Sequence, residues 1–236
     1  MDFNAQAYDE LSKMQFNAGC QFVNRIGISL GDKVLDIGCG TGKVTKYIAD
    51  IVGPDGSVTG IDPDASRIQI AAENFKDVRN LQFHVGSAAT GFPHESEAFY
   101  DVHMGTNSFH WVSDDEKKVY LEKAHRSLKP GRKLAILCGE KPVGVEKSIF
   151  GPHMLTYDGY LKLFQDSGLF TDVVIKKDLH VKRFETLEEF KPWYEASRGH
   201  SFEILNKKEV QDYVITEDDG SVTCKVPSLY ITASKK

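Results

Sequence analysis

The sequence predicts an α/β protein in which a mostly parallel sheet is covered by helices on both faces. Three observations favour this three-layer fold class. Short apolar strands alternate with amphipathic helices, a glycine-rich turn follows the first strand, and the last two strands are longer and more polar. Alternating strands and helices are typical of parallel βαβ units. The two long strands near the end predict an antiparallel hairpin at the edge of the sheet.

The individual elements follow from hydrophobic spacing along the chain. Residues 5–27 carry apolar side chains at helical intervals and end at Gly27, so we expect an N-terminal helix there. Apolar or alternating runs predict strands at 33–37, 57–61, 81–85, 100–104, 133–138, 172–181 and 222–233. Helical periodicity predicts further helices at 42–52, 64–76, 115–128, 156–167, 186–197 and 206–213.

Composition narrows the class of protein and its partners. The 236 residues suffice for one domain spanning 1–236, with an ordinary 41% hydrophobic and 27% charged residues. A net charge of −5 argues against a nucleic-acid partner, which needs a basic face. No stretch reaches the ~20 apolar residues of a membrane span, and the N-terminus does not resemble a signal peptide. We therefore expect a cytoplasmic monomer or homodimer without a membrane partner.

Cysteine and histidine spacing predicts no metal site. The four cysteines are widely separated, and none forms a Cys-x-x-Cys pair. Cys39 lies inside the glycine-rich turn and Cys138 inside an apolar run, so both are expected to be small buried residues. The histidines also lack the spacing of metal ligands.

A glycine-rich turn lies between the first strand and the next helix. In this turn Gly38, Gly40 and Gly42 alternate with other residues, and Asp36 stands two positions before the first glycine. Glycine tolerates positive φ and lets a ligand approach the backbone closely. The helix that follows presents free N–H groups and the positive end of its dipole. This pattern predicts a ligand site that suits a carboxylate or phosphate group.

A second acidic residue, Asp62, ends the next apolar strand about 20 residues farther on, where an acid that binds ribose is expected. The third glycine comes one position earlier than in the NAD-binding fingerprint, which disfavours an NAD-dependent oxidoreductase. Asp62 could instead cap the following helix, but Asp64 is better placed as that cap. A carboxylate at Asp62 can accept hydrogen bonds from both ribose hydroxyls.

These two motifs resemble those of the class I S-adenosylmethionine-dependent methyltransferases. The resemblance implies S-adenosyl-L-methionine as cofactor and a seven-stranded sheet of order 3-2-1-4-5-7-6. It places the glycine turn, with Cys39, under the methionine part, with Asp36 near its amino group. Asp62 would hold the ribose, and Pro63 would flank the adenine. The acid usual after the third strand is replaced by Ser87, beside Ala88, whose N–H could bind adenine. After the fourth strand, Gly105 and Thr106 would lie beside the sulfonium.

A narrower resemblance points to the juvenile hormone acid O-methyltransferases and, more distantly, to the trans-aconitate methyltransferases. It rests on Ala7-Tyr8, on Gln15, on the element Ser-Phe-His-Trp at 108–111, and on the ending at 225–233. In that family the corresponding glutamine and tryptophan bind the substrate carboxylate, which implies this role for Gln15 and Trp111. The helix at 5–27 would cover the active site, with Tyr8 near the cofactor. Residues 182–220 would form a lid shorter than the family's.

The chemistry implied is methyl transfer to a small-molecule acceptor, most simply a carboxylic acid. A carboxylate is already nucleophilic at neutral pH, so positioning in a dry pocket suffices. An amine, thiol, imidazole or phenol acceptor would need His110 as a general base, although His110 can equally be a structural residue bonded to backbone. A cofactor-binding protein without catalysis is a further alternative. The lid aromatics (Phe184, Phe190, Trp193, Tyr194 and Phe202) either line the acceptor pocket or pack a helix.

Overall fold

The computed structural model describes residues 13–141, 151–198 and 213–236. The helices are α1 (Lys13–Ile26), α2 (Lys43–Val52), α3 (Ala65–Asn74), α4 (Asp114–Ser127), α5 (Tyr157–Ser167) and α6 (Leu187–Arg198). The strands are β1 (Lys33–Ile37), β2 (Ser57–Asp62), β3 (Leu81–Val85), β4 (Tyr100–Thr106), β5 (Leu128–Gly139), β6 (Phe170–Phe184), β7 (Val214–Thr216) and β8 (Val222–Lys235). A short 3₁₀ helix, Phe109–Trp111, precedes α4.

The strands of the described ranges form one mixed sheet. Its order is β3-β2-β1-β4-β5-β8-β6, and β7 pairs with β8 outside this path. Strands β1 to β5 are parallel, whereas β8 runs antiparallel to β5, β6 and β7. The predicted fold class and strand pattern are confirmed. The prediction of seven strands omitted β7, which has three residues and is too short to show an alternating pattern.

Helices cover both faces of this sheet. On one face Val34, Val102 and Met104 pack with apolar side chains of α1 and α2, including Phe22 and Ile48. On the other face Leu35 and Ile136 pack with α4 and α5. Neighbouring strand residues point to opposite faces, so Val34 and Leu35 belong to different layers. The central strands β1, β2 and β4 are therefore buried on both sides, as expected of a parallel sheet, whereas β3 and β6 at the two edges are partly exposed.

Side-chain caps fix where the helices begin. The Asp64 carboxylate accepts hydrogen bonds from two backbone N–H groups at the start of α3. Ser113 and Glu116 form a capping box at the start of α4, and Thr156 caps α5. Each cap satisfies N–H groups that the helix leaves unpaired. The helix starts at α3 and α4 adjoin the loops that carry the candidate site residues.

The described part of the N-terminal helix runs from Lys13 to Ile26, within the predicted 5–27. Tyr8 lies outside the described residues, as does almost all of the helix predicted at 206–213. None of the helices in the described ranges has both the length and the hydropathy required to span a membrane.

Candidate functional site

The glycine turn after β1 has the backbone geometry that only glycine adopts easily. Gly38, Gly40 and Gly42 have φ values of 71°, 57° and 82°. The N–H of Gly38 donates to the carbonyl of Ile61 at the end of β2, at 2.8 Å. A Cβ atom at Gly38 would lie 2.2 Å from Cβ of Ser108, so a larger residue would collide with the loop after β4. The turn therefore sits tightly between the ends of two neighbouring strands.

Asp62 lies at the end of β2 with only 4% of its surface exposed. Its Oδ2 accepts the N–H of Gly40 at 3.0 Å, and its Oδ1 accepts the N–H of Asp64 at 2.9 Å. Burial raises the pKa of this carboxyl, while the two N–H donors and Arg67 oppose that effect. Asp64, not Asp62, provides the side-chain cap of α3. Asp62 thus joins the glycine turn to the start of α3.

Asp36 is almost fully buried beneath the glycine turn. Its Oδ2 accepts the hydroxyl of Thr45 at 2.8 Å, whereas its Oδ1 has no hydrogen-bond partner among the described residues. Burial raises the pKa of Asp36 to about 7, and the Thr45 hydrogen bond opposes that effect. The Cys39 thiol lies 3.7 Å from the Gly40 carbonyl, and burial raises its pKa well above the ordinary value. Such a thiol is not a nucleophile at neutral pH.

A cavity of about 640 Å³ opens beside these residues at the carboxyl ends of the parallel strands. This is where open α/β sheets bind ligands. Seven residues predicted for the cofactor line this cavity: Gly38, Gly40, Asp62, Pro63, Ser87, Ala88 and Thr106. Three predicted for the acceptor line it too: Gln15, His110 and Trp111. Four further residues predicted for the cofactor do not line this cavity: Asp36, Cys39, Gly42 and Gly105.

Ser87 occupies the position where the methyltransferase motif usually carries an acid. Its hydroxyl accepts the backbone N–H of Ala89 at 3.3 Å and that of Thr90 at 3.0 Å. The hydroxyl therefore stabilises the turn after β3. Ala88 beside it is buried against the core, with 2% of its surface exposed.

The loop after β4 places His110 and Trp111 on the wall of the same cavity that the glycine turn lines. The Ser108 hydroxyl donates to the carbonyl of Ile37 at 2.6 Å, and Asn107 takes a positive φ of 55°. His110 is 3% exposed, and its Nδ1 accepts the N–H of Gly139 at 3.3 Å. When the ring is neutral, this hydrogen bond leaves the ring proton on Nε2. His110 is thus held by backbone while it lines the cavity.

Two long antiparallel strands complete the wall, with residues that the sequence analysis did not select. His180 of β6 and Val226 and Ser228 of β8 line the cavity. His180 pairs in register with Val226, and its Nε2 lies 3.2 Å from the Tyr230 hydroxyl. Burial lowers the pKa of His180, while Asp178 opposes that effect. No short motif marks these residues, because strand pairing alone brings them to the cavity.

The described parts of the predicted acceptor lid, residues 182–198 and 213–220, pack away from the cavity. Phe184, Phe190, Trp193 and Tyr194 are at most 1% exposed and form a separate small core with Val222 and Cys224. None of the described residues within 182–220 lines the cavity, and Phe202 lies outside the described ranges. Helix packing therefore accounts for these four aromatic side chains. The idea that they line the acceptor pocket is wrong, because α6 packs against β6 and β8 instead.

Comparison with known sequences finds similarity in the central segment of the chain. Residues 34–131 match the family profile described as a methyltransferase domain. The demethylmenaquinone methyltransferase of Symbiobacterium thermophilum is 33% identical over 129 residues, which cover 52% of this chain and 48% of that protein. The chain spans about half the length of the relatives that it matches in sequence.

Comparison with solved structures extends over nearly the whole chain. The YcgJ protein of Bacillus subtilis has a TM-score of 0.72 at 15% identity, covering 93% of this chain and 99% of that one. Phosphoethanolamine N-methyltransferase 2 of Haemonchus contortus, solved with S-adenosylhomocysteine, has a TM-score of 0.71 at 17% identity, covering 98% of this chain and 57% of that one. Likeness at this identity shows the fold. The matched profile adds that residues 34–131 are similar in sequence to methyltransferase domains.

Proposed function

We propose that this protein transfers a methyl group from S-adenosylmethionine to a small carboxylic acid, as the juvenile hormone acid and trans-aconitate methyltransferases do. The observation that carries the proposal is the position of Gln15 and Trp111. They belong to α1 and to the 3₁₀ helix, yet both line the cavity that also includes Gly38 and Asp62. Two side chains that can donate hydrogen bonds thus share one space with the proposed cofactor site.

The residues of the cofactor part fit S-adenosylmethionine. Asp62 presents a buried carboxylate on the cavity wall for the ribose hydroxyls, and the glycine turn leaves room for the methionine part. The unpartnered Oδ1 of Asp36 suits the amino group, reached through water or backbone. When bound, this cofactor would supply a methyl group attached to a cationic sulfur. The carboxylate oxygen would form the new bond to the methyl carbon, and the electron pair of the broken carbon–sulfur bond would stay on the sulfur.

The residues of the acceptor part can orient a carboxylate without removing a proton. The side-chain amide of Gln15 and the indole N–H of Trp111 are hydrogen-bond donors. The His110 ring also lines the cavity, and its Nδ1 already accepts the N–H of Gly139. Positioning one carboxylate oxygen in line with the methyl group lowers the barrier by removing orientational freedom. The α1 helix, which contributes Gln15 and Ala18, would act as the cover of this site.

The charges on the wall favour a carboxylate over a phosphorylated acceptor. Within the described ranges Arg67 is the single Lys or Arg side chain that lines the cavity, and it lies 3.6 Å from Asp64 beside the cofactor part. Phosphate groups are usually held by several cationic side chains. The acceptor part instead combines neutral donors with the apolar side chains of Val112, Met154 and Val226, and Glu116, its one carboxylate among the described residues, is engaged by the N–H and the hydroxyl of Ser113. A singly charged acid of modest size fits this lining.

An acceptor that must lose a proton is the second candidate, since His110 does line the cavity. The demethylmenaquinone methyltransferases among the matched relatives act on a different acceptor class. His110→Ala distinguishes the two. For a carboxylic acid substrate, kcat should fall less than tenfold, whereas a base-dependent reaction should lose about 100-fold or more.

The deciding experiment has two steps. Calorimetric titration with S-adenosylmethionine and S-adenosylhomocysteine should show micromolar binding of both. The protein is then incubated with methyl-tritiated cofactor and a panel of aliphatic, aromatic and tricarboxylic acids, and methyl esters are detected as base-labile volatile radioactivity. Ester formation supports the proposal. Cofactor binding together with base-stable methylation of amines or phenols would replace it, and binding without turnover on any panel would indicate a non-catalytic protein.

A further inference from the structure

Lys117 is a charged residue buried in the interior beside the acceptor wall. Its side chain has no exposed surface, although it belongs to α4, whose neighbouring Lys118 side chain is 68% exposed. The Lys117 ammonium donates to three oxygens: the carbonyl of Val112 at 2.6 Å, the carbonyl of His153 at 2.6 Å and Oδ1 of Asp114 at 3.1 Å. An ammonium has three N–H donors, so all three are used.

The two carbonyls belong to two different segments of the cavity wall. Val112 ends the turn that carries His110 and Trp111, and it lines the cavity itself. His153 precedes Met154, another lining residue. The same segments also meet through backbone, since the N–H of His153 donates to the carbonyl of His110 at 3.2 Å. Lys117 therefore joins, from behind, the two stretches that frame this side of the pocket.

We propose that Lys117 is a positioning residue that sets the orientation of Trp111 toward the acceptor. Its ammonium binds the carbonyl of Val112, the residue after Trp111, and at the same time the carbonyl of His153. It thereby fixes the backbone next to Trp111 against the segment at 151–154. The assignment of Trp111 as an acceptor contact rests on the proposed function, whereas the positioning of Trp111 by Lys117 does not. Because its three donors are already engaged, Lys117 does not bind the acceptor itself.

The chemistry of the site explains why a lysine stands here. Burial of a charge is costly unless hydrogen bonds and an opposite charge compensate it, and Asp114 supplies that charge. A single ammonium can bind two carbonyls from separate segments and one carboxylate at once. An apolar side chain of the same length would fill the space but would leave both carbonyls without this donor. The turn would then lose its fixed distance from the segment at 151–154.

The test compares Lys117→Met with Lys118→Met, the adjacent exposed lysine of the same helix. Both proteins, and the unaltered one, are labelled with 5-fluorotryptophan, which gives one ¹⁹F signal each for Trp111 and Trp193, the two tryptophans of the chain. Trp193 belongs to the separate small core around α6 and serves as an internal reference. The signals are assigned with Trp193→Phe. Affinity for S-adenosylhomocysteine is measured by calorimetry on the same samples.

Lys117→Met should shift and broaden the Trp111 signal and leave the position of the Trp193 signal unchanged. The affinity for S-adenosylhomocysteine should stay within twofold of that of the unaltered protein. Lys118→Met should change none of these. With a carboxylic acid found in the ester screen, Lys117→Met should raise KM more than tenfold with a smaller change in kcat. An unchanged Trp111 signal in the folded variant overturns the proposal, and so does an equal shift of both tryptophans. These signals need no methyl acceptor, so they stand even if the ester screen fails.

A measurement on the unaltered protein covers the case in which Lys117→Met does not fold. In a ¹⁵N-lysine-labelled sample, the Lys117 ammonium should give a sharp signal that is protected from hydrogen exchange, with a coupling across the hydrogen bond to the carbonyl carbon of Val112. Lys118 should give no protected signal. Absence of a protected lysine ammonium would overturn the proposal.

Discussion

At the scale of single residues, Asp62 combines two tasks that one experiment can separate. It holds the glycine turn and the start of α3 through the N–H groups of Gly40 and Asp64, and it would bind the ribose. Asp62→Ala should weaken S-adenosylhomocysteine binding at least 100-fold, because hydrogen bonds to a charged group contribute about 1.5–3 kcal/mol each. Calorimetry measures the loss.

Asp64→Ala is the matched control for that substitution. It removes the cap of α3 and should cost about 1 kcal/mol of stability, while it changes the affinity by less than tenfold. If both variants lose affinity equally, the loss comes from disorder at the start of α3 and not from the ribose contact.

His103 makes the stability of the protein depend on pH. It is fully buried in β4 between the Tyr120 and Ser127 hydroxyls, and burial lowers its pKa to about 3. The pKa of His103 is about 3 in the folded protein and near 6.5 in the unfolded chain, so between these pH values only the unfolded chain binds the proton. The stabilisation that comes from a neutral His103 is therefore fully present above pH 6.5. Below that, the free energy of unfolding falls by up to about 1.4 kcal/mol per pH unit.

Urea unfolding at pH 7, 6 and 5 should therefore show a smaller loss of stability in His103→Gln than in the unaltered protein. Asp36 acts in the opposite direction. Its raised pKa of about 7 means that the folded state takes up a proton first, which adds stability as pH falls from 7 toward 3.8. That contribution is common to both proteins and cancels in the comparison. Parallel pH dependences of the two proteins would contradict the role given to His103.

At the scale of elements, Arg25 contributes a polar link between α1 and the two long strands, beside the ring contact of Phe22 with Tyr230. Arg25 lies 3.6 Å from an oxygen of Asp178 in β6 and 4.8 Å above the ring of Tyr230 in β8. Arg25→Ala should lower the free energy of unfolding by about 1 kcal/mol, because exposed ion pairs and cation–π contacts are each weak. Faster hydrogen exchange in α1 amides would show that the helix is loosened.

Lys46→Ala, which removes the exposed Lys46–Asp50 pair of α2, is the control for this element. It should cost about 0.3–0.5 kcal/mol and leave exchange in α1 unchanged. Equal exchange in α1 for both variants would mean that Arg25 does not hold the helix.

Strand and helix positions were largely predictable from the sequence, and the exceptions have physical causes. Strands at 33–37 and 81–85 match the structure to the residue. The first is a buried parallel strand and reads as a short apolar run between turns, and the second is a partly exposed edge strand in which Leu81, Phe83 and Val85 alternate with polar residues. The fifth strand begins at Leu128 and not at 133, because the polar stretch Lys129–Lys133 has no apolar pattern. The sixth extends over Phe170–Phe184, where pairing with β8 continues past the predicted ends.

At the scale of the whole molecule, cofactor binding should stabilise the fold by mass action. A ligand at 100 times its Kd adds about 2.7 kcal/mol, which for a chain of 236 residues corresponds to a rise in Tm of about 5–10 °C. S-Adenosylhomocysteine should produce this rise, measured by differential scanning fluorimetry. NAD at the same concentration should produce none, and Asp62→Ala should abolish the rise at that concentration.

The site divides according to how its residues could be found. Gly38, Gly40 and Asp62 belong to local motifs, so their approach to one cavity followed from the strand-turn-helix pattern. His180 and Ser228 reach the cavity through pairing between β6 and β8, about 50 residues apart. Lys117 was missed for another reason, since a lysine in a charged helix is usually exposed. The local sequence pattern does not predict which residues of two paired strands reach a cavity, and it does not predict that a particular lysine of a charged helix is buried.

Separate parts of the chain contribute to the cavity wall, and this has a consequence for how the protein can change. The glycine turn and Asp62 lie within residues 34–131, the segment that matches the methyltransferase profile, whereas His180, Val226 and Ser228 belong to the two long strands near the end. Under the proposed function, substitutions at these three strand residues would change part of the acceptor lining without touching Gly38 or Asp62. The terminal hairpin is therefore a part of the chain where the lining of the cavity can vary separately from the glycine turn, in evolution and in protein engineering.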